Sequence, residues 1–221
     1  QALNTAEKIS LIKTCVDVSA GRVPIVAGTG TNDTVSTIAL TSAAAACGAD
    51  AALIVTPYYN CPSQEGLYRH FEAVARNVQI PIILYNVPKR TGVDLSLETI
   101  ERLSELPTVI GIKDATGELD RPKRIVRRID DRLIQLSGHD ATAVSFNLEG
   151  GDGMISVISN VLPATTVELY EACKRADACA ARTLGFKLKP LLTAMEQDTN
   201  PVPVKYALHH RRGLSPDVRL P

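Results

Sequence analysis

The chain has 221 residues, 45% of them hydrophobic, enough to bury a substantial core in one domain of ordinary size. Lysine plus arginine and aspartate plus glutamate each number 24, so no global field draws it to nucleic acid or to an anionic membrane. The five scattered cysteines, Cys15, Cys47, Cys61, Cys173 and Cys179, form neither a C-x-x-C pair nor a metal-ligand spacing. This points away from a disulfide framework and toward reduced thiols in a cytosolic or organelle-matrix setting, and no apolar run is long enough to span a bilayer.

A helix is expected over 3–20: Asn4 and Glu7 have capping-box spacing, Ile9, Ile12 and Val16 share a face, and Gly21 stops it. The apolar run 23–28 reads as a strand, followed by a turn and helix cap over 29–32 and an alanine-rich helix over 34–47 closed by Gly48. Residues 51–55 are the next strand, ending in Thr56-Pro57-Tyr58-Tyr59-Asn60. Pro62 and Ser63 then start a helix through Leu67, Phe71 and Val74. A strand over 81–85, a loop over 86–94 and a helix capped by Ser96 follow. After them come a strand from Val109 that delivers Lys113, a helix over 119–129, a strand over 133–138 and a helix over 141–148. The last strand is expected over 153–157, with a helix over 163–174; two further helices, 180–197 and 204–212, have no strands around them.

Six strand-then-helix units at even spacing indicate βαβ architecture. The strands are unalternating apolar runs, the mark of a parallel sheet covered on both faces. Polar residues follow the strands directly: Tyr59, Tyr85, Arg90, Lys113 and Gly138. A (β/α)8 barrel gathers such tips at one face, whereas a doubly wound sheet gathers them at a topological switch point. The expected class is α/β, a TIM (β/α)8 barrel of which six βα units are present, with a barrel portion over 1–176 and a C-terminal helical region over 177–221. Six units do not close an eight-stranded barrel and the chain opens in a helix, so two further strands are expected ahead of Gln1.

The stretch Val109-Ile110-Gly111-Ile112-Lys113 delivers one amine to the end of a buried strand. Burial disfavours an ammonium and exposes a nucleophilic amine, which can attack a carbonyl to form a Schiff base. Tyr85 ends the preceding strand and is suited to shuttling protons there. Arg90, in the next loop, is suited to gripping a carboxylate through two parallel hydrogen bonds. The Tyr58-Tyr59 pair suits a subunit contact or a substrate wall. Each has an ordinary counterpart: a lysine leaving a strand for water, a strand-end tyrosine, a solvated arginine, loop packing. Gly28-Thr29-Gly30 lacks the rest of a phosphate-binding fingerprint, and His209-His210-Arg211-Arg212 reads as a helix C-terminus. The four histidines are not spaced as ligands, which favours a lysine imine over a metal as the route to an enamine.

The blocks Tyr85-Asn86-Val87-Pro88-x-Arg90-Thr91-Gly92 and Gly111-Ile112-Lys113-Asp114-Ala115-Thr116-Gly117 resemble the dihydrodipicolinate synthase family. So do Val55 to Asn60, Leu136 to Asp140 and Asn200 to Lys205, in the same order. The resemblance implies a barrel with a helical extension, assembled as a homotetramer of two dimers in the cytoplasm. It implies a Schiff-base lyase without cofactor or metal that condenses pyruvate with L-aspartate-4-semialdehyde in lysine and diaminopimelate biosynthesis. Under it, Lys113 forms the pyruvate imine, Tyr85 relays protons and Tyr59 completes the relay in a partner's site. Arg90 binds the aldehyde's carboxylate, and Gly138 and Ile155 line the pyruvate pocket. The family's Gly-Thr-Thr-Gly-Glu segment, one threonine of which joins the relay, is expected ahead of Gln1. Ser36, Thr5 and Lys8 replace the acidic residue and histidines of lysine-inhibited members, which implies weak or no lysine feedback. Two other readings stay open. One is another pyruvate Schiff-base aldolase or dehydratase, of the N-acetylneuraminate lyase or keto-deoxy sugar acid kind. The other is an inactive barrel with a binding or assembly role.

Overall fold

The computed structural model describes residues 2–220. Helix α1 (Thr5–Ser19) begins two residues later than its apolar pattern suggests, because Asn4 is the cap. The Asn4 side chain accepts from the Glu7 N–H at 2.9 Å, and the Glu7 carboxylate accepts from the Asn4 N–H at 2.9 Å. Strand β1 (Val26–Gly28) is shorter than expected: Pro24 has no N–H to give a ladder. The carboxylate of Asp33 caps α2 (Thr34–Ala46) by accepting the Ser36 N–H at 2.7 Å. Strand β2 (Ala51–Val55) matches its expected bounds, and α3 (Gln64–Asn77) is capped by Ser63. Leu67, His70, Phe71 and Val74, at helical spacing, form the buried face of α3.

After β3 (Ile82–Asn86), the segment read as a loop contains one helical turn, α4 (Pro88–Thr91). Pro88 presets the first dihedral, and Gly92 closes the turn at φ +75°, a conformation that suits glycine. Helix α5 (Leu97–Leu103) is capped by Ser96 as expected, followed by β4 (Val109–Asp114), α6 (Arg121–Ile129) and β5 (Ile134–Ser137). A 3₁₀ turn at Asp140–Thr142 leads into α7 (Ala143–Leu148). Strand β6 (Gly153–Met154) has two residues where five were expected. The N–H groups of Val157 and Ile158 are taken instead by the Asp140 carboxylate, at 2.8 and 3.1 Å, which ends the ladder. Helices α8 (Pro163–Lys174), α9 (Ala178–Met195) and α10 (Val202–Arg212) complete the described residues.

The six strands among the described residues are parallel where their register is defined and follow chain order in the sheet. The chain divides into two compact units, residues 3–116 with 123–135, and residue 2 with 117–122 and 136–220. In the first, Ala52, Ile54, Ile82, Leu84 and Ile112 are fully buried and share a core with Leu67, Phe71 and Val74 of α3 and with Ile100 and Leu103 of α5. In the second, Leu169, Ala172 and Cys173 of α8 pack with Ala181 and Leu188 of α9 and with Ile158.

His70 gives the first unit a pH-dependent stability. It is 6% exposed, meets Phe71 edge-on at 5.1 Å, and places Nδ1 2.9 Å from the Thr34 hydroxyl. Burial pushes its imidazole from 6.5 down to about 4, against the opposing pull of the Asp33 charge. The unfolded chain therefore takes up a proton near pH 6.5 that the folded chain refuses until about pH 4. Stability from this group is present above pH 6.5 and falls as the pH drops toward 4, by up to about 3 kcal/mol. Urea unfolding at pH 7 and pH 4.5 is expected to show this loss, and His70→Gln should remove most of it. An equal acid loss in the variant would assign the effect to other groups.

Candidate active site

Strands β3 and β4 do not run in a single register. Ile82 pairs with Val109, but Ile83 pairs with Gly111, so Ile110 is an extra residue between the two rungs. This shift decides which way the lysine points. Without it, Lys113 would pair with Asn86 and share that residue's buried, helix-facing side. With it, Lys113 pairs with Tyr85 and faces the same side as the tyrosine. Gly111 makes the packing of β4 possible, because a Cβ there would lie 2.9 Å from the carbonyl oxygen of Ile134.

Lys113 and Tyr85 are both half-buried, and the lysine Nζ lies over the tyrosine ring, 4.1 Å from its centroid. Burial raises the Tyr85 hydroxyl above the ordinary tyrosine value, while the charge of Arg90 pulls it partway back. Arg90 is exposed on α4. Its turn is held by Thr91, which is buried and donates its hydroxyl to the Val87 carbonyl at 3.2 Å and the Val93 carbonyl at 3.0 Å. Lys113, Tyr85 and Arg90 all lie within the first unit, with Arg90 near enough for its charge to act on the Tyr85 hydroxyl.

Tyr59 stands apart from the trio. It is 89% exposed and holds a left-handed backbone at φ +72°, with Cys61 also positive at +44°. Non-glycine residues in that region cost roughly 1 kcal/mol or more, so the loop is held there by its surroundings. Asn60 anchors it by donating its side-chain N–H to the Asn32 carbonyl at 3.0 Å. In the second unit, Gly138 directly follows β5 and Ile155 directly follows β6, and the Ile155 N–H donates to the Ser137 carbonyl at 2.9 Å. Ile155 was expected inside the last strand and lies just past its end; the two residues occupy neighbouring strand ends.

The residues that sequence reasoning missed lie on the opposite, helix-facing side of the same strand tips. Asn86 and Asp114 are rung partners, both buried, one place beyond Tyr85 and Lys113. Beside them Thr56 is fully buried, and its N–H donates to the Tyr85 carbonyl at 3.0 Å. The signal available was a polar residue ending each of three apolar strands. Among the described residues, no group of three His, Cys, Asp or Glu side chains is placed to hold a metal ion, and no helix is long and apolar enough to cross a membrane.

The model of the dihydrodipicolinate synthetase family matches residues 1–221. The 4-hydroxy-tetrahydrodipicolinate synthase of Pseudomonas aeruginosa is 51% identical over 220 residues, 99% of this chain and 75% of that protein. Its counterpart in Alcanivorax borkumensis is 50% identical over 219 residues, 99% of this chain and 74% of that protein. Among solved structures, dihydrodipicolinate synthase from Acinetobacter baumannii, complexed with pyruvate, superposes with a TM-score of 0.97 at 46% identity, covering 99% of this chain and 75% of that one. The Aquifex aeolicus enzyme gives 0.96 at 40% identity, with coverage of 99% and 75%. The fold is therefore α/β, that of the TIM (β/α)8 barrel, with six of its strand–helix units in this chain. With a family model matched along its whole length and relatives half identical to it, the chain belongs to the dihydrodipicolinate synthetase family.

Proposed function

We propose that the chain's reaction, condensation of pyruvate with L-aspartate-4-semialdehyde in lysine biosynthesis, runs through an imine on Lys113. The observation that carries this reading is the Lys113 amine lying over the Tyr85 ring at paired strand tips. The neutral amine adds to the pyruvate C2 carbonyl. The carbinolamine oxygen takes a proton and leaves as water, giving the iminium. Loss of a C3 proton then yields an enamine, whose C3 attacks the aldehyde carbon and forms the new carbon–carbon bond. Displacement at C2 by water or by an amine frees Lys113. Tyr85, its hydroxyl kept protonated by burial, serves as the proton donor and acceptor for these steps.

Arg90 binds the carboxylate of the aldehyde substrate, and its exposure on α4 supports this by leaving the guanidinium open to an incoming ligand. Gly138 and Ile155 line the pyruvate pocket, a role that their neighbouring strand-end positions support. The assembly is a homotetramer of two dimers in the cytoplasm. Tyr59, an aromatic held outward on a strained loop, completes the proton relay of a partner subunit. The barrel portion extends over 1–176, with the helical region beyond it; no strand follows Met154 among the described residues.

Arg90→Ala is expected to raise KM for the aldehyde roughly 10- to 150-fold, the loss of a charged hydrogen-bond pair. Pyruvate capture on Lys113 should stay near wild type. Initial rates against aldehyde concentration, with borohydride trapping alongside, check both. An unchanged aldehyde KM would remove Arg90 from substrate binding.

A further inference from the structure

We infer that Asn86 is a positioning residue that ties the Arg90 turn to the strand carrying Lys113; this rests on the function proposed above. Asn86 is 0% exposed and immediately follows Tyr85 at the end of β3. Its side-chain amide nitrogen donates to the Asp94 carboxylate at 2.6 Å and to the Asp114 carboxylate at 3.1 Å. Its side-chain oxygen accepts the Leu95 N–H at 3.1 Å, and its main-chain carbonyl accepts the Ala115 N–H at 2.9 Å. Asp94 and Leu95 end the segment that carries Arg90; Asp114 and Ala115 directly follow Lys113. One buried side chain therefore joins the two places where the two substrates would be held.

The chemistry of the contact requires an amide. A primary amide nitrogen has two N–H donors, and here each meets a carboxylate, while the oxygen faces a main-chain donor. Asn86→Asp keeps the shape and the acceptor for Leu95 but replaces both donors with an oxygen. A third carboxylate then faces the other two in a buried site, and like charges there repel. The relaxed arrangement moves the Asp94 end away from the Asp114 end. The Arg90 turn goes with the first and Lys113 with the second, which matters because displacements of about 1 Å are enough to slow an oriented reaction by two orders of magnitude.

The test is kinetic, on the whole chain. Asn86→Asp is expected to raise the aldehyde KM at least about tenfold and to lower kcat as well, because hydrogen bonds to charged partners are lost. Two further variants separate positioning from general weakening. Asn86→Asp combined with Asp94→Asn and Asp114→Asn restores a donor opposite an acceptor on both sides and should recover most of the aldehyde KM. In an Arg90→Ala background, Asn86→Asp should add little to the aldehyde KM, since residues that act through one another are not additive. Recovery and non-additivity together support the role. A folded Asn86→Asp protein with wild-type kinetics, or additive effects with Arg90→Ala, overturns it. Should Asn86→Asp fail to fold, the exchanged triple answers alone: a folded protein with near wild-type aldehyde KM supports the tie, and one with a KM as high as that of Arg90→Ala refutes it. Borohydride trapping of wild type separates the two layers. If no pyruvate is captured on Lys113, the proposed chemistry falls; if it is captured and the Asn86 variants behave as wild type, only the positioning role falls.

Discussion

Lys113→Ala is expected to abolish borohydride-trapped pyruvate and to lower kcat/KM by about 10⁴-fold or more, the scale of loss when a group acting as part of a catalytic unit is deleted. The more telling substitution is Lys113→Arg. A guanidinium would keep a cation over the Tyr85 ring, where the lysine Nζ lies 4.1 Å from the centroid. It does not lose its proton at accessible pH and so offers no lone pair to pyruvate. If the role of Lys113 is covalent, the arginine variant is as inactive as the alanine one. If the position needs only a positive charge to hold a substrate carboxylate, the arginine variant retains much of the activity. Peptide mapping after reduction with pyruvate locates the adduct, and an adduct on any other lysine would sink the assignment directly.

Tyr85→Phe is expected to lower kcat by roughly 10²- to 10⁴-fold with little change in either KM, the contribution typical of a positioned proton donor. The ring survives the substitution, and with it the face over which Nζ lies and the packing between β3 and β4, so the folded structure should persist. The pH profile gives an independent reading. Burial holds the Tyr85 hydroxyl above the ordinary tyrosine range, so the donor form is complete across neutral and mildly alkaline pH. Any alkaline limb from its ionisation therefore lies beyond the usual tyrosine value. A limb near pH 8 in wild type that vanishes in Tyr85→Phe would contradict this, because it would place the ionisation below that range.

The relatives favour one of the two pyruvate-enzyme readings that the sequence left open. The lysine and tyrosine alone are compatible with sugar-acid lyases, but the half-identical relatives from Pseudomonas aeruginosa and Alcanivorax borkumensis are 4-hydroxy-tetrahydrodipicolinate synthases.

Much of the fold was legible because its cues are local. The Asn4–Glu7 box and the Ser63 and Ser96 caps all start the helices they were expected to start. The apolar runs at 51–55 and 109–113 became strands because such runs gain most when covered on both faces. Failures came where a distant group took over a backbone donor. The last strand does not run on to Val157 because Asp140 captures the N–H groups of Val157 and Ile158. The loop after Asn86 contains a helical turn because Pro88 and Gly92 frame it, a cue present in the sequence.

By itself, then, the sequence determined the alternation of strands and helices, and it placed Tyr85, Arg90 and Lys113 at or just after strand ends, because hydrophobic periodicity and capping chemistry act over a few residues. Only the tertiary structure decided which side of the sheet Lys113 faces. The extra residue Ile110 slides β4 by one place against β3 and turns the lysine from the Asn86 side to the Tyr85 side. It also decided that Asn86 is buried against Asp94 and Asp114. Register and long-range hydrogen bonding belong to a pair of segments and not to either one, so no single run of residues records them.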